Sequence, residues 1–351
     1  MLYSTDDLRI SGIQEVLPPA ELHQALPITD NASETVFKAR NLTQKIVHGN
    51  DDRLVIIVGP CSIHDPDAAR EYATLLKPLM EELKDDLQII MRVYFEKPRS
   101  VVGWKGLIND PHLDGSFKIN EGLRLARKLL LDIAEMGVPA GSEYLDLISP
   151  QYIADLISWG AIGARTTESQ AHRELASGLS CPIGFKNATD GGLQIAIDAC
   201  MSAARPHHFM SLTKSGHSAI FSTTGNPDCH VILRGGKKPN YNAESVQEVA
   251  TIIGRTGQRA LFMVDCSHAN SGKDHIQQEV VCRDVANQIA NGEKRIMGLM
   301  LESNLIAGRQ NTETCDKLVY GQSITDACMA WENTDVLLRE LAEAVRQRRL
   351  K

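Results

Sequence analysis

Eight polar or reactive side chains share one context in this sequence, each at or just past the C-terminal end of a short apolar run: Cys61, Arg92, Glu143, Arg165, Lys186, Arg234, His268 and Glu302. They divide by chemistry. Arg92, Arg165, Lys186 and Arg234 are cations, joined by Lys97 and Arg99 after the second run. Gathered in one place they would repel one another unless they held anions. Guanidinium forks suit phosphate or carboxylate bidentately, and an ammonium supplies a point charge. Cys61, His268, Glu302 and, further on, Asp326 offer thiolate, imidazole and carboxylate, a donor set fit for one divalent metal. Taken singly, each has a plainer use. An isolated Arg or Lys is usually solvated or ion-paired, Cys61 fits a small buried hydrophobe, His268 a core histidine, and Asp326 a cap on the last helix. No HExxH or CxxC ties the metal set together locally. Their shared position carries the reading.

The elements that must position these residues are regular. The runs are LVIIVGP (54–60), LQIIMRVYF (87–95), VPAGSEY (138–144), GAIGAR (160–165), CPIGFK (181–186), CHVILRGG (229–236), ALFMVDCSH (260–268) and RIMGLMLES (295–303). They are too short for helices and too uniformly apolar for half-exposed strands, so they predict parallel strands buried on both faces. Helical patterns separate or follow them at 66–84, 121–136, 150–158, 169–177, 193–204, 243–256, 279–291 and 325–347. In the first of these, Leu75, Leu79 and Leu83 share a face and Pro78 predicts a kink. Eight strand–helix units predict the α/β class and a (β/α)8 TIM barrel, which needs about 250 residues and carries its chemistry at the strands' C-terminal ends. A doubly wound open sheet competes, but neither GxGxxG nor GxxxxGKS/T occurs. The expected layout is an N-terminal extension (1–50) for regulation or assembly and a catalytic barrel (51–351) with an inserted β-hairpin (207–224) before strand six. The 95–120 loop is long enough for a lid or binding loop.

Composition excludes several classes. With 37 Lys+Arg against 44 Asp+Glu the 351-residue chain carries a net charge of −7, which argues against nucleic acid or an anionic membrane as partner. Hydrophobic residues at 43% and charged residues at 23% exclude a disordered chain. The opening MLYSTDDLRIS lacks a secretory pattern, and no apolar run approaches the ~18 residues of a membrane span. Eight scattered cysteines then read as reduced thiols in a cytoplasmic protein, with Cys181, Cys200, Cys229, Cys266, Cys282, Cys315 and Cys328 as packing residues. His207 and His208 read as surface residues, and the charges in 273–279 as a solvated helix start. The basic RQRRLK (346–351) suits the last helix's C-terminal dipole.

Longer motifs sharpen this. GPCSIHD (59–65), MRVYFEKPRS (91–100), GWKGLINDP (103–111), GARTTESQ (163–170), GFKN (184–187), ILRGGK (232–237), DCSHAN (265–270), ESN (302–304) and SITDAC (323–328) resemble the type I 3-deoxy-D-arabino-heptulosonate 7-phosphate (DAHP) synthases, in their microbial, feedback-regulated class. The resemblance runs from about residue 6 to the end. It implies a metal-dependent aldol-type condensation of phosphoenolpyruvate with erythrose 4-phosphate and water, giving DAHP and phosphate, the entry step of the shikimate pathway. It implies that Cys61, His268, Glu302 and Asp326 hold a divalent metal, manganese favoured with iron, cobalt or zinc as alternatives. Arg92, Arg165, Lys186 and Arg234, with Glu143, would surround phosphoenolpyruvate, and Lys97, Arg99 and Ser100 would receive erythrose 4-phosphate. Cys61, Lys97, Lys186 and His268 are the expected catalytic residues, the proton-transfer assignments staying open. Two motifs depart from the family pattern: KPRS stands for KPRT, and NATDG for NGTDG, with Ala188 where glycine would tolerate a positive φ.

The resemblance also implies a homodimer or homotetramer with an aromatic amino-acid effector, bound by Asp7, Ile10, Leu147, Pro150, Gln151, Leu179, Ser180, Phe209, Ser211 and Phe221. LDLISPQ (145–151) and SLTKSGHSAI (211–220) resemble the phenylalanine-sensitive form most, with tyrosine the second choice. Packing alone would also explain that apolar set. A metal-dependent phosphosugar aldolase competes as a function but leaves the second group of cations idle. A catalytically dead sensor barrel would have lost a metal ligand, and all four candidates are present.

Overall fold

The structure, a computed structural model, describes residues 3–99, 101–312 and 317–351. In chain order, α1 (Pro19–Ala25) and α2 (Asp30–Val47) precede β1 (Leu54–Gly59), α3 (Pro66–Leu83), β2 (Leu87–Arg92), α4 (Ile119–Glu135), β3 (Ala140–Glu143) and α5 (Pro150–Ile153). There follow β4 (Ile157–Ile162), α6 (Gln170–Gly178), β5 (Ile183–Lys186), α7 (Gln194–Ala203), and the strands β6 (His208–Leu212) and β7 (Ser218–Ser222). The chain ends with β8 (Cys229–Leu233), α8 (Ala243–Arg255), β9 (Phe262–Asp265), α9 (His275–Ala290), β10 (Ile296–Glu302), β11 (Ile306–Arg309), β12 (Gln322–Ser323) and α10 (Trp331–Arg349).

Eight strands close into a barrel in the order β1-β10-β9-β8-β5-β4-β3-β2, every neighbouring pair parallel. The expected (β/α)8 barrel is what forms. β6 and β7 make the predicted hairpin ahead of the sixth barrel strand, with Phe209 opposite Phe221. Uniform apolarity has the anticipated cause: Leu54, Ile56 and Val58 pack outward under the helices, while Val55 and Ile57 fill the lumen with Ile90, Trp159, Ile232, Met263 and Met300. Each such side chain contributes about 1.5–3 kcal/mol by leaving water. Ile46 and Val47 of α2 belong to the lumen cluster and stop the barrel from below. Arg40 of α2 donates to the carbonyls of Ala154 and Ile157, and Gln44 and His48 both reach the Asp228 carboxylate. Inside the lumen, Trp159 Nε1 donates to His230 Nε2 at 3.1 Å, and burial pushes His230 down to about 4, so it stays neutral.

Several boundaries differ from the sequence reading. The helix expected over 150–158 is only α5 and a tight turn at Ala154–Leu156, because Ile157 already pairs with Ala140 in the sheet. The last helix starts at Trp331 and not at 325, so Asp326 caps nothing and is free to point into the mouth. α9 starts four residues early, where Asp274 caps it through Ile276 N. α3 runs on through Pro78, and Leu76, not the exposed Leu75, joins Leu79 and Leu83 in the core. The basic tail does more than suit a dipole: Arg346 and Arg349 pair with Asp86, and Arg349 also with Asp52. Among the described residues, no helix is long and apolar enough to cross a membrane.

Candidate active site

Arg92, Glu143, Lys186 and Glu302 are the last residues of β2, β3, β5 and β10, while Cys61, Arg165, Arg234 and His268 lie one to three residues beyond their strands. Strand ends and loops enclose a cavity of about 310 Å³ whose lining includes Lys97, Arg99, Glu143, Arg165, Lys186, Arg234, His268 and Asp326. Arg92 is fully buried and is not among the lining residues.

One corner suits a cation. Among the described residues, ligand atoms of Cys61, Glu302 and Asp326 lie within 4.8 Å of one another. His268, the fourth predicted ligand, stands beside them with Nε2 3.9 Å from Glu302 Oε1. Arg92 Nη2 approaches Glu302 Oε1 to 2.9 Å as an ion pair, yet that fully buried oxygen receives no well-aligned hydrogen bond. An orphaned carboxylate oxygen beside a thiol and a second carboxylate is what a metal site looks like before its ion is counted. The residues fit the group. Burial alone would raise Glu302, but Arg92, His268 and Lys97 bring it down to about 2. Burial and the Glu302 charge push the Cys61 thiol up. Lys97 Nζ lies 3.1 Å from Cys61 O and 3.2 Å from Cys61 Sγ, and donates to both.

The opposite side is cationic. Lys186 Nζ donates to Asp265 Oδ2 at 2.9 Å, and His268 Nδ1 is 2.9 Å from the same oxygen. Burial would raise Asp265, but His268 and Lys186 hold it far below the usual carboxylate range. Asn187 Oδ1 accepts from Arg234 N, fixing the base of Arg234 beside Lys186. Arg165 donates to Pro98 O at 3.3 Å, joining the β4 side to the long loop. Ser100 lies outside the described residues, as does Cys315.

Asp265, Asn187 and Lys273, which the sequence reading passed over, contact the candidate site residues Lys186, Arg234 and Asp326. Lys273, expected on a solvated helix start, lines the cavity with its ammonium 3.3 Å from Asp326 Oδ1. The available signal was the motif itself: Asp265 opens DCSHAN and Asn187 closes GFKN. Ala188 costs nothing, since the positive φ of its loop falls on Gly191.

Glu96, next to Lys97, is buried and accepts from Ser149 Oγ at 3.0 Å. Burial and the Asp146 carboxylate raise it from 4.5 to about 7. A carboxyl raised on folding contributes stability that is complete below its unfolded pKa and lost as pH rises through about 7. Glu96→Gln is therefore expected to melt progressively above wild type from pH 5 to 8, by up to about 3 kcal/mol. Parallel Tm–pH curves for the two proteins would refute this.

A second cavity of about 420 Å³ lies beneath the hairpin, lined by Arg40, Asp155 and Lys214 with Pro150, Gln151, Leu179, Ser180, Phe209, Ser211 and Phe221. Seven of the ten expected effector residues converge there. Leu147 lies off its lining, as do Asp7 and Ile10, which stand exposed on the N-terminal arm. The Phe209 and Phe221 rings are 6.1 Å apart.

Comparison with known proteins agrees with this architecture. Residues 27–339 match the family model described as the DAHP synthetase I family. The chain is 63% identical to the Phe-sensitive phospho-2-dehydro-3-deoxyheptonate aldolase of Escherichia coli (strain K12), over 99% of this chain and 100% of that one. It is 58% identical to a phospho-2-dehydro-3-deoxyheptonate aldolase of Haemophilus influenzae, covering 99% and 97% of the two chains. A solved phospho-2-dehydro-3-deoxyheptonate aldolase from Francisella tularensis superposes with a TM-score of 0.95 at 54% identity, covering 97% of this chain and 99% of that one. A closed parallel barrel with its reactive residues at one mouth, and similarity running the length of the chain, lead to one assignment: the chain belongs to the DAHP synthetase I family.

Proposed function

We propose that the protein condenses phosphoenolpyruvate with D-erythrose 4-phosphate and water to DAHP and phosphate. The observation that carries this is one cavity lined by six cations (Lys97, Arg99, Arg165, Lys186, Arg234 and Lys273) and by Asp326, whose ligand atom lies within 4.8 Å of those of the buried Cys61 and Glu302. Two phosphorylated substrates need that many positive charges, whereas an aldolase with one would leave half of them unused. Arg165, Arg234 and Lys186 hold phosphoenolpyruvate, with Arg92 as a buried charge beside Glu302. Lys97 and Arg99 receive erythrose 4-phosphate from the loop side. Cys61, His268, Glu302 and Asp326 would hold a divalent metal, manganese favoured, which would supply Lewis-acid polarisation of the aldehyde. The enolpyruvate C3 then forms a bond to the aldehyde carbon. Water adds to C2, surrendering a proton to Glu143; the C2–O bond to phosphate then breaks as the new C2 hydroxyl becomes the carbonyl, its proton leaving on the phosphate. Lys97 stands beside the reacting end and supplies a proton to the new hydroxyl.

Activity should require both substrates and be abolished by chelator and restored by manganese. Turnover without erythrose 4-phosphate, or none with any divalent ion, would overturn the reading.

The 420 Å³ cavity fits a free aromatic amino acid, its ring against Phe209 and Phe221 and its two charges near Asp155, Arg40 and Lys214. Phenylalanine is the effector favoured, in keeping with the Phe-sensitive relative. Ala154→Phe places a ring inside the cavity and is expected to weaken phenylalanine inhibition at least about tenfold. Inhibition by tyrosine but not phenylalanine would reassign the effector. The exposed apolar residues Leu8, Ile10 and Ile13 on the arm fit assembly into a homodimer or homotetramer, and a cytoplasmic location suits seven described free cysteines.

A further inference from the structure

One carboxylate touches both halves of the site. Asp265, fully buried at the end of β9, places Oδ2 2.9 Å from Lys186 Nζ on the anion side and 2.9 Å from His268 Nδ1 on the metal side. Its own placement is rigid: Oδ1 accepts from Ser267 N, and its carbonyl accepts from Asn270 Nδ2. His268 depends on it. The buried His268 Nδ1 has no well-aligned hydrogen-bond partner, and His268 adopts φ +55°, a left-handed backbone that a non-glycine residue holds only under constraint. A carboxylate facing Nδ1 selects the tautomer with its proton there, which leaves the Nε2 lone pair toward Glu302 and the metal corner.

We propose that Asp265 is a positioning residue that presents His268 Nε2 to the metal, anchors Lys186, and thereby links metal binding to phosphoenolpyruvate binding. The proposal rests on reading Cys61, Glu302, Asp326 and His268 as metal ligands. Because Lys186 and His268 share one oxygen, a ligand that draws Lys186 away frees Oδ2 for His268. A metal on Nε2 in turn makes Nδ1–H a stronger donor to it. The two binding events are then mutually favourable, and by linkage each raises the other's affinity by the same factor.

The test is manganese affinity, measured by competition with a fluorescent chelator, with and without phosphoenolpyruvate, for wild type and Asp265→Asn. Wild type should bind more tightly when phosphoenolpyruvate is present. Asp265→Asn should bind manganese about 10–100-fold more weakly and lose that enhancement. Because the variant leaves Lys186 without its counter-charge, a second measurement uses unaltered protein. Long-range ¹H–¹⁵N spectra of the zinc-loaded wild type, with His268 identified by its absence in His268→Gln, should show the Nδ1–H tautomer. An Nε2–H tautomer, or a folded Asp265→Asn with wild-type manganese affinity and enhancement, would overturn the inference alone. A wild type that binds no metal would overturn the metal reading and this inference with it.

Discussion

Glu302→Gln is expected to lose at least about a hundredfold in turnover at saturating manganese and about 3–5 kcal/mol of stability. The two losses have one origin. Glu302 is fully buried, and its Oε1 lies 2.9 Å from Arg92 Nη2. Arg92 has other partners, but they carry no charge: the carbonyls of Pro60 and Cys61, Met300 Sδ and the face of the Tyr94 ring. Removing the negative charge leaves a guanidinium stranded in the protein interior, with the Lys97 ammonium close by. It also removes the oxygen that no hydrogen bond claims, the one best placed for a cation. Ser267 Oγ donates to the other oxygen, Oε2, so the side chain's orientation should survive. The pH dependence follows from the depressed pKa: the wild-type contribution is present above 4.5 and lost as pH falls through about 2. The variant should lack that acid limb. Urea melts and steady-state rates within twofold of wild type would remove Glu302 from both roles.

Gly106→Ala should be the most damaging methyl group in the long loop. Gly106 has φ +117°, and a Cβ there would lie 1.9 Å from the Phe95 carbonyl oxygen and 2.8 Å from Glu96 Cα. Those are backbone atoms at the entrance to the KPRS segment, and they have nowhere to go: Phe95, Leu107 and Ile108 are all buried. Lys97 N donates to Lys105 O one residue away, so relief of the clash must shift Lys97. We expect a stability loss of about 2–5 kcal/mol from strain and overpacking. A displacement near 1 Å at the reacting groups costs roughly a hundredfold in kcat/KM. Gly115→Ala is the control, with φ +71° but nothing within 4 Å of the added carbon, and should cost only about 1 kcal/mol with no change in rate. Equal melting temperatures for the two variants would show that the close contact at Gly106 is irrelevant.

The barrel was legible because strands buried on both faces admit almost no polar residue, so the first charge after each apolar run marks the mouth. Arg92, Glu143, Lys186 and Glu302 were found that way and do end their strands. Asp265 was not, although it ends β9, because its value depends on partners from the neighbouring strand ends and loops and not on its own run. The fourth strand was displaced because the apolar stretch around Ile157 satisfies a helix and a strand equally; pairing with Ala140 decides between them. Residues 325–330 read as helix by composition, yet Cys328 and Met329 exchange backbone hydrogen bonds with Gly308, Asn304 and Glu302. Tertiary pairing overrides local propensity there and frees Asp326 for the mouth. For the effector cavity, the hairpin and barrel-wall residues were readable, while Asp7 and Ile10 sit on an arm that reaches no such cavity within one chain.

The stopper at the base of the barrel fixes an order of events during synthesis. Ile46 and Val47 pack in the lumen with Met297 and Met300, and β1 completes the ring through Val55 opposite Gly298. The plug therefore leaves the ribosome about 250 residues before the last wall it touches. At ordinary translation rates that is a wait of about 10–50 s. Through that interval Ile46, Val47, Val55 and Ile57 lack the Met297 and Met300 side of their packing, and a nascent chain halted before β10 is a half-open trough with an apolar interior. Closure is an end-of-synthesis event, so chains truncated ahead of residue 296 should need a chaperone to stay in solution while full-length chains do not.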